Sequence, residues 1–267
     1  MEQQVRYNSL DVMKMFMAFL VVGIHAGTMT NTHYPTALEI LLSTAVPFFF
    51  ICSGFFLQNK IIRTNKEELS IKTYFLKTLK LFLLWHLAWL PIDIWFLWKN
   101  GHTLIENICL FFRLLLLTGE TIFSWPLWYL HGLLIAISII FILRKFKLTL
   151  PTIWLISIII MIWGHAGRNG FFQGFPYVAT GMIIRQYLPH IPYSIKNHPI
   201  FPKLRLYSML IYFIHMYFML ILFTLYKENV LPYQLWISVF LTSWIAAYLF
   251  DIIRFSPFFK WLNHLIA

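Results

Sequence analysis

Charge is scarce in this chain, and acid is scarcer still. Of 267 residues only 12% are charged, with 10 Asp and Glu set against 21 Lys and Arg. Soluble domains carry about 25% charged residues, so an ordinary water-soluble globule is excluded. Cysteine is nearly absent as well. Cys52 and Cys109 stand without any CxxC or His/Cys ligand spacing. That argues against a zinc site, a disulfide or any other metal centre, and both cysteines read as small apolar side chains. A phosphate-binding glycine loop, an HExxH pair and a GxSxG elbow are all missing, which removes the enzyme classes built on them. There is no internal repeat and no polar stretch long enough for a separate soluble domain, so residues 1–267 read as one membrane-embedded domain.

What the chain has in excess is apolar surface: 60% of its residues are hydrophobic, more than one globular core can hide. A hydrocarbon core takes about 20 apolar residues to cross. Eight stretches qualify: 10–29, 37–57, 74–98, 125–143, 151–163, 171–187, 206–226 and 232–253. The fifth is short but strongly apolar, and the first is read as a retained span rather than a leader. Residues 103–118 carry Glu106, Asn107 and Arg113, so they read as an amphipathic helix lying at the surface.

The basic residues test this assignment. With the N-terminus cytoplasmic and 103–118 not crossing, 17 Lys and Arg fall inside and 4 (Lys99, Arg113, Arg168 and Lys227) outside. Were 103–118 to cross, Arg144, Lys145 and Lys147 would move outside, against the positive-inside rule. The expected fold is therefore all-α: a polytopic helix bundle of about eight spans with both termini cytoplasmic. The net charge of +11 belongs to topology, and no basic patch interleaved with stacking aromatics points to nucleic acid.

Ionisable groups at membrane depth cost at least about 2.5–3.5 kcal/mol and so point to function. The first span holds Asp11, Lys14 and His25. Lys14 and His25 are eleven residues apart, which is about 20° from whole turns and about 16 Å along the axis. One helical face thus bears a cation near one end and an imidazole nearer the other. Snorkelling, with Asp11 as partner, accounts for Lys14 without any chemistry. Lys77 and Lys80 share a face at the start of the third span, suited to receiving phosphates or to anchoring. Ser53, Trp128, Tyr129, Arg168, Tyr212 and His215 are further polar marks. Helix–helix hydrogen bonding suffices for Ser53 and Tyr212. Asp93 is expected at the outer interface.

Five strings in this order resemble the acyltransferase type 3 family, the integral-membrane O-acyltransferases of bacteria. They are Asn8-Ser9-Leu10-Asp11-Val12-Met13-Lys14 followed by His25; Val46-Pro47-Phe48-Phe49-Phe50-Ile51-Cys52-Ser53-Gly54-Phe55-Phe56; Tyr74-Phe75-Leu76-Lys77-Thr78-Leu79-Lys80; Pro126-Leu127-Trp128-Tyr129-Leu130; and Ser208-Met209-Leu210-Ile211-Tyr212-Phe213-Ile214-His215. The resemblance runs from residue 6 to about 261. Two departures stand out. The family commonly has about ten spans, giving a range of eight to ten here. Lysines also replace the family's basic pair, often arginines, and lose bidentate phosphate geometry.

The resemblance implies an acyltransferase of the bacterial plasma membrane. It would move an acyl group, most often acetyl, from cytoplasmic acyl-CoA to a hydroxyl of a cell-surface glycan or lipid-linked glycan. His25 would be the catalytic base, since an imidazole titrates near neutrality. Lys14, Lys77 and Lys80 would receive the charged head of acetyl-CoA, the donor substrate. Ser53, Trp128, Tyr129, Arg168, Tyr212 and His215 would shape the substrate pocket. Membrane lipid is the expected surrounding, and a homo-oligomer or a partner in glycan assembly fits the short chain. Two alternatives belong to other classes: a non-catalytic subunit of a polysaccharide assembly complex, and a small transporter or flippase.

Overall fold

The computed structural model describes residues 7–99, 103–121, 123–163, 172–188, 198–226 and 230–253. Among them there is helix and connecting turn but no strand. Six helical stretches are long and apolar enough to cross a membrane: Asn8–Met29, Thr36–Thr64, Glu67–Lys99, Trp125–Lys145, Ile200–Leu225 and Pro232–Ile253. The protein is therefore a multi-pass, all-helical membrane protein. Two other stretches read as spans, 151–163 and 171–187, form 14-residue helices. At 1.5 Å per residue Gly174–Tyr187 is about 21 Å long, short of the roughly 30 Å hydrocarbon thickness, while Leu150–Trp163 runs to the edge of the described residues. The chain divides into two compact units, one made of Met1–Ala45 with Pro192–Ala267 and the other of Val46–Ile191.

The first unit contains α1 (Asn8–Met29), α2 (Thr36–Ser43), α9 (Ile200–Leu225) and α10 (Pro232–Ile253). α1 packs on both α9 and α10, and these two pack on each other. Prolines sit where helix starts tolerate them: Pro232 opens α10 and Pro202 lies in the first turn of α9, where N–H groups have no intrahelical acceptor to lose. The packed stripe of α1 is small, with Ala18, Val22 and Ala26 fully buried. Gly23 admits the indole of Trp236, since a Cβ there would lie 2.5 Å from the ring. Trp236 in turn stacks on Phe19 with centroids 4.7 Å apart and donates its Nε1–H to the Phe19 carbonyl at 2.7 Å.

The second unit contains α3 (Ala45–Thr64), α4 (Glu67–Lys99), α5 (Leu104–Leu117), α6 (Trp128–Lys145), α7 (Leu150–Trp163) and α8 (Gly174–Tyr187), with a 3-10 turn at Trp125–Leu127. α6 packs on α4, α7 and α8. Phe50, Leu57, Ile137, Ile140, Ile153, Phe175 and Val178 pack into an apolar cluster at its core. α3 and α8 meet backbone to backbone. A Cβ on Gly54 would lie 2.0 Å from the Val178 carbonyl oxygen, and one on Gly181 2.0 Å from that of Ile51. Glu67 of α4 forms an ion pair with Arg144 of α6, whose Nη2 donates to Oε2 at 2.9 Å.

α5 behaves as its pattern predicts. Thr103 and Glu106 form a capping box, and none of the helix residues is buried. Asp93 does not. Instead of facing an interface it is fully buried, accepting hydrogen bonds from the Thr121 hydroxyl at 2.5 Å and the Phe123 N–H at 3.3 Å. The segment before the 3-10 turn folds over it and replaces water as its donor.

Candidate active site

The first unit brings three of the expected residues together. His25 on α1 and His215 on α9 are both buried, with ring centroids 5.1 Å apart and planes tilted by 38°. The Tyr212 ring lies 6.3 Å from that of His215. Nδ1 of His215 is 3.0 Å from the Ile211 carbonyl oxygen. A carbonyl can only accept, so this contact assigns the hydrogen to Nδ1 and leaves the lone pair on Nε2. Nε2 has no hydrogen-bond partner among the described residues. The helix thus presets one imidazole as a base beside a second imidazole.

The backbone around His25 is held from two sides. Trp236 packs against Gly23, two residues before it, as described above. Tyr34, in the turn between α1 and α2, donates its hydroxyl to the Gly23 carbonyl at 3.1 Å and covers Gly27. Burial, then the neighbouring Tyr233, push the Tyr34 phenol up to about 12.

Lys14 lies about three turns from His25 on α1, and its side chain is half-buried. The same end of the unit holds two ion pairs. Asp11 is buried, and Arg205 grips both its oxygens, Nε to Oδ1 at 2.9 Å and Nη2 to Oδ2 at 2.6 Å. The guanidinium fork matches the two carboxylate oxygens and so adds a partner that the sequence alone did not suggest. Asp251 accepts from the Tyr207 hydroxyl at 3.2 Å and has Lys203 Nζ at 4.0 Å. Arg205 was visible in the sequence only as one of many basic loop residues. Its role depends on a partner 194 positions away, which no local spacing reveals.

The second unit holds the other expected residues. Tyr129 donates its hydroxyl to the Phe49 carbonyl at 3.2 Å, so Ser53 Oγ, 2.8 Å away, donates to Tyr129. The Phe50 ring contacts both Tyr129, at 4.6 Å, and Trp128, at 6.1 Å. Together these contacts tie α3 to α6. Lys77 and Lys80 are exposed on α4. Arg168 lies outside the described residues.

The fold is that of a membrane-embedded helical protein with a buried imidazole pair. The family is settled by comparison: an acyltransferase domain matches residues 7–197, and the chain belongs to the acyltransferase type 3 family. The match takes in Lys14, His25, Ser53, Lys77, Lys80, Trp128 and Tyr129. It stops short of α9, so Tyr212 and His215 lie beyond it. Two relatives from Enterococcus faecalis, each called an amino-acid racemase, are similar at 28% identity. One matches over 63% of this chain and 23% of its own length, the other over 54% and 21%. The chain thus spans less than a quarter of the curated relatives it matches. No solved structure matches it.

Proposed function

We propose that this membrane acyltransferase transfers an acyl group, acetyl in the simplest case, from acyl-CoA to a hydroxyl of a cell-surface glycan, in the bacterial plasma membrane. The observation that carries this reading is the pairing of His25 with His215. His25 takes the proton from the acceptor hydroxyl as its oxygen attacks the thioester carbonyl. The tetrahedral intermediate then collapses, the C–S bond breaks, and the imidazolium returns the proton to the departing CoA thiolate. His215 positions His25 and offers a second lone pair for that proton.

Lys14 of the first unit is assigned to the phosphates of the CoA head, and Lys77 and Lys80 of the second unit are assigned separately to attracting the same anionic donor. Single lysines act as point charges, so each contributes attraction without a fixed geometry. The distance from Lys14 to His25, about 16 Å along the helix, is one that a pantetheine arm can cover. The name of the Enterococcus relatives belongs to chains of which less than a quarter is matched, and it lends no racemase chemistry to this one.

Purified protein in vesicles, supplied with radiolabelled acetyl-CoA and a glycan acceptor, tests the reading. Label should move to the acceptor. Absence of both transfer and thioester cleavage would return the chain to a non-catalytic subunit or a transporter. His215→Phe should lower kcat with little change in KM for acetyl-CoA. Lys77→Ala with Lys80→Ala should instead weaken CoA binding, and unchanged affinity would leave both lysines as anchors.

A further inference from the structure

The basic end of the second unit carries a cleft whose lining residues have no part in the proposed reaction. It opens where α3 ends and α4 begins, has a volume of about 390 Å³, and is lined by Lys60, Thr64, Lys66, Leu69, Ser70 and Thr73. Two lysines line it and no acid does, while its threonine hydroxyls donate to helix carbonyls, Thr64 to Lys60 at 2.9 Å and Thr73 to Leu69 at 2.7 Å. The acids nearest in sequence are engaged elsewhere, Glu67 with Arg144 and Glu68 with Lys72 at 2.6 Å. Among the described residues neither Lys60 nor Lys66 has a carboxylate partner. Lys60 also lies within electrostatic reach of Lys77, which adds a third cation to the same region.

The shape of the cleft is fixed by its own hydrogen bonds. Thr64 Oγ1 is 2.8 Å from Ser70 Oγ and accepts from the Lys66 N–H at 3.3 Å, while Asn65 between them takes a left-handed φ of 51°. Its position is at the end of the candidate span Thr36–Thr64, hence at headgroup depth, where uncompensated lysines attract anionic lipid. Ile62 and Leu69 beside it are 44% and 59% exposed, an apolar surface suited to acyl chains. No aromatic side chain lines the cleft, so nothing there would stack on an adenine, which disfavours a nucleotide.

We propose that this cleft binds the phosphate of an anionic phospholipid headgroup, with Lys60 and Lys66 as the charged contacts.

Native mass spectrometry of the full chain, with cardiolipin and phosphatidylcholine as probes, tests it in wild type, K60Q/K66Q and K60R/K66R. Each lysine near a membrane surface contributes about 1 kcal/mol of attraction, so the glutamine variant should lose cardiolipin preference by about tenfold or more. The arginine variant should keep it, and adenosine 3′,5′-bisphosphate should not displace the lipid. Undiminished cardiolipin preference in K60Q/K66Q overturns the proposal, as does its loss in K60R/K66R. Displacement by the bisphosphate would assign the cleft to the nucleotide donor and overturn it too. The readout needs no acyl transfer, so it stands or falls apart from the proposed reaction.

Discussion

The two units of this chain solve different problems with the same material. The first buries polar groups: two histidines, a carboxylate gripped by a guanidinium, and a second carboxylate held by a tyrosine. The second also buries polar side chains, among them His86 and Asp93, but sets them beside an apolar cluster closed by glycines that let backbones touch. Buried polar groups in a bilayer are costly and mark function, whereas small residues at a helix crossing mark packing. The contrast ties the proposed histidine chemistry to the first unit and close backbone packing to the second.

The sharpest way to break that contrast is His25→Ala. Removing a general base costs about 10²–10⁴-fold in rate, while insertion and accumulation should be unchanged. Label transfer from acetyl-CoA, measured against equal amounts of folded protein, decides it, and full activity would remove His25 from the mechanism. In the second unit Gly54→Ala should act through stability. Its Cβ would meet the Val178 carbonyl at 2.0 Å, and overpacking of this kind costs about 1–3 kcal/mol. A fall in thermal midpoint with normal turnover per folded molecule is expected, and a loss of turnover without a fall in midpoint would blur the division of labour.

Arg205→Ala tests whether the polar groups of the first unit are also structural. It strands the buried Asp11 carboxylate, a loss of about 1–3 kcal/mol, tempered because Arg205 is half exposed. Arg205→Lys should recover part of the loss, since one ammonium cannot reproduce two parallel bonds. Equal stability of all three proteins would show that the pair contributes nothing measurable. The smallest effect belongs to Tyr34→Phe, which removes one hydrogen bond worth about 0.5–1.5 kcal/mol. The folded phenol stays neutral up to about pH 12 against a usual value of 10.0. Its contribution is therefore full below pH 10 and is lost as the pH rises toward 12. Alkaline unfolding curves of wild type and Tyr34→Phe should converge over that window.

The sequence carried the helical class and six of its spans well, because apolar length is a local property that needs no partner. It also carried the surface character of α5, since Thr103, Glu106, Asn107 and Arg113 are read from one stretch of chain. The two shorter apolar stretches were legible as helix, but hydropathy does not report where a helix begins or stops, and α8 runs only from Gly174 to Tyr187. Of the site, His25 stood out by cost alone. The neighbour it acquires, His215, was visible only as one more polar mark, and their proximity is a matter of which helices pack. Asp93 went astray for the same reason. Its distance along the helix suggested an interface, but residues 121 and 123 fold back and bury it.

The ion pair between Asp11 and Arg205 has a consequence for the order of synthesis. Residues 46–191 are contiguous, so the second unit has all its parts as soon as α8 has left the ribosome. The first unit is split between the two ends of the chain. When α1 enters the bilayer its carboxylate has no guanidinium to meet, and it waits through the making of the whole second unit before α9 arrives. Until then α1 must keep Asp11 at the water's edge. The helix that carries His25 is thus made before the second unit and settles only after it, so a ribosome that stops before α9 leaves the histidine pair unformed.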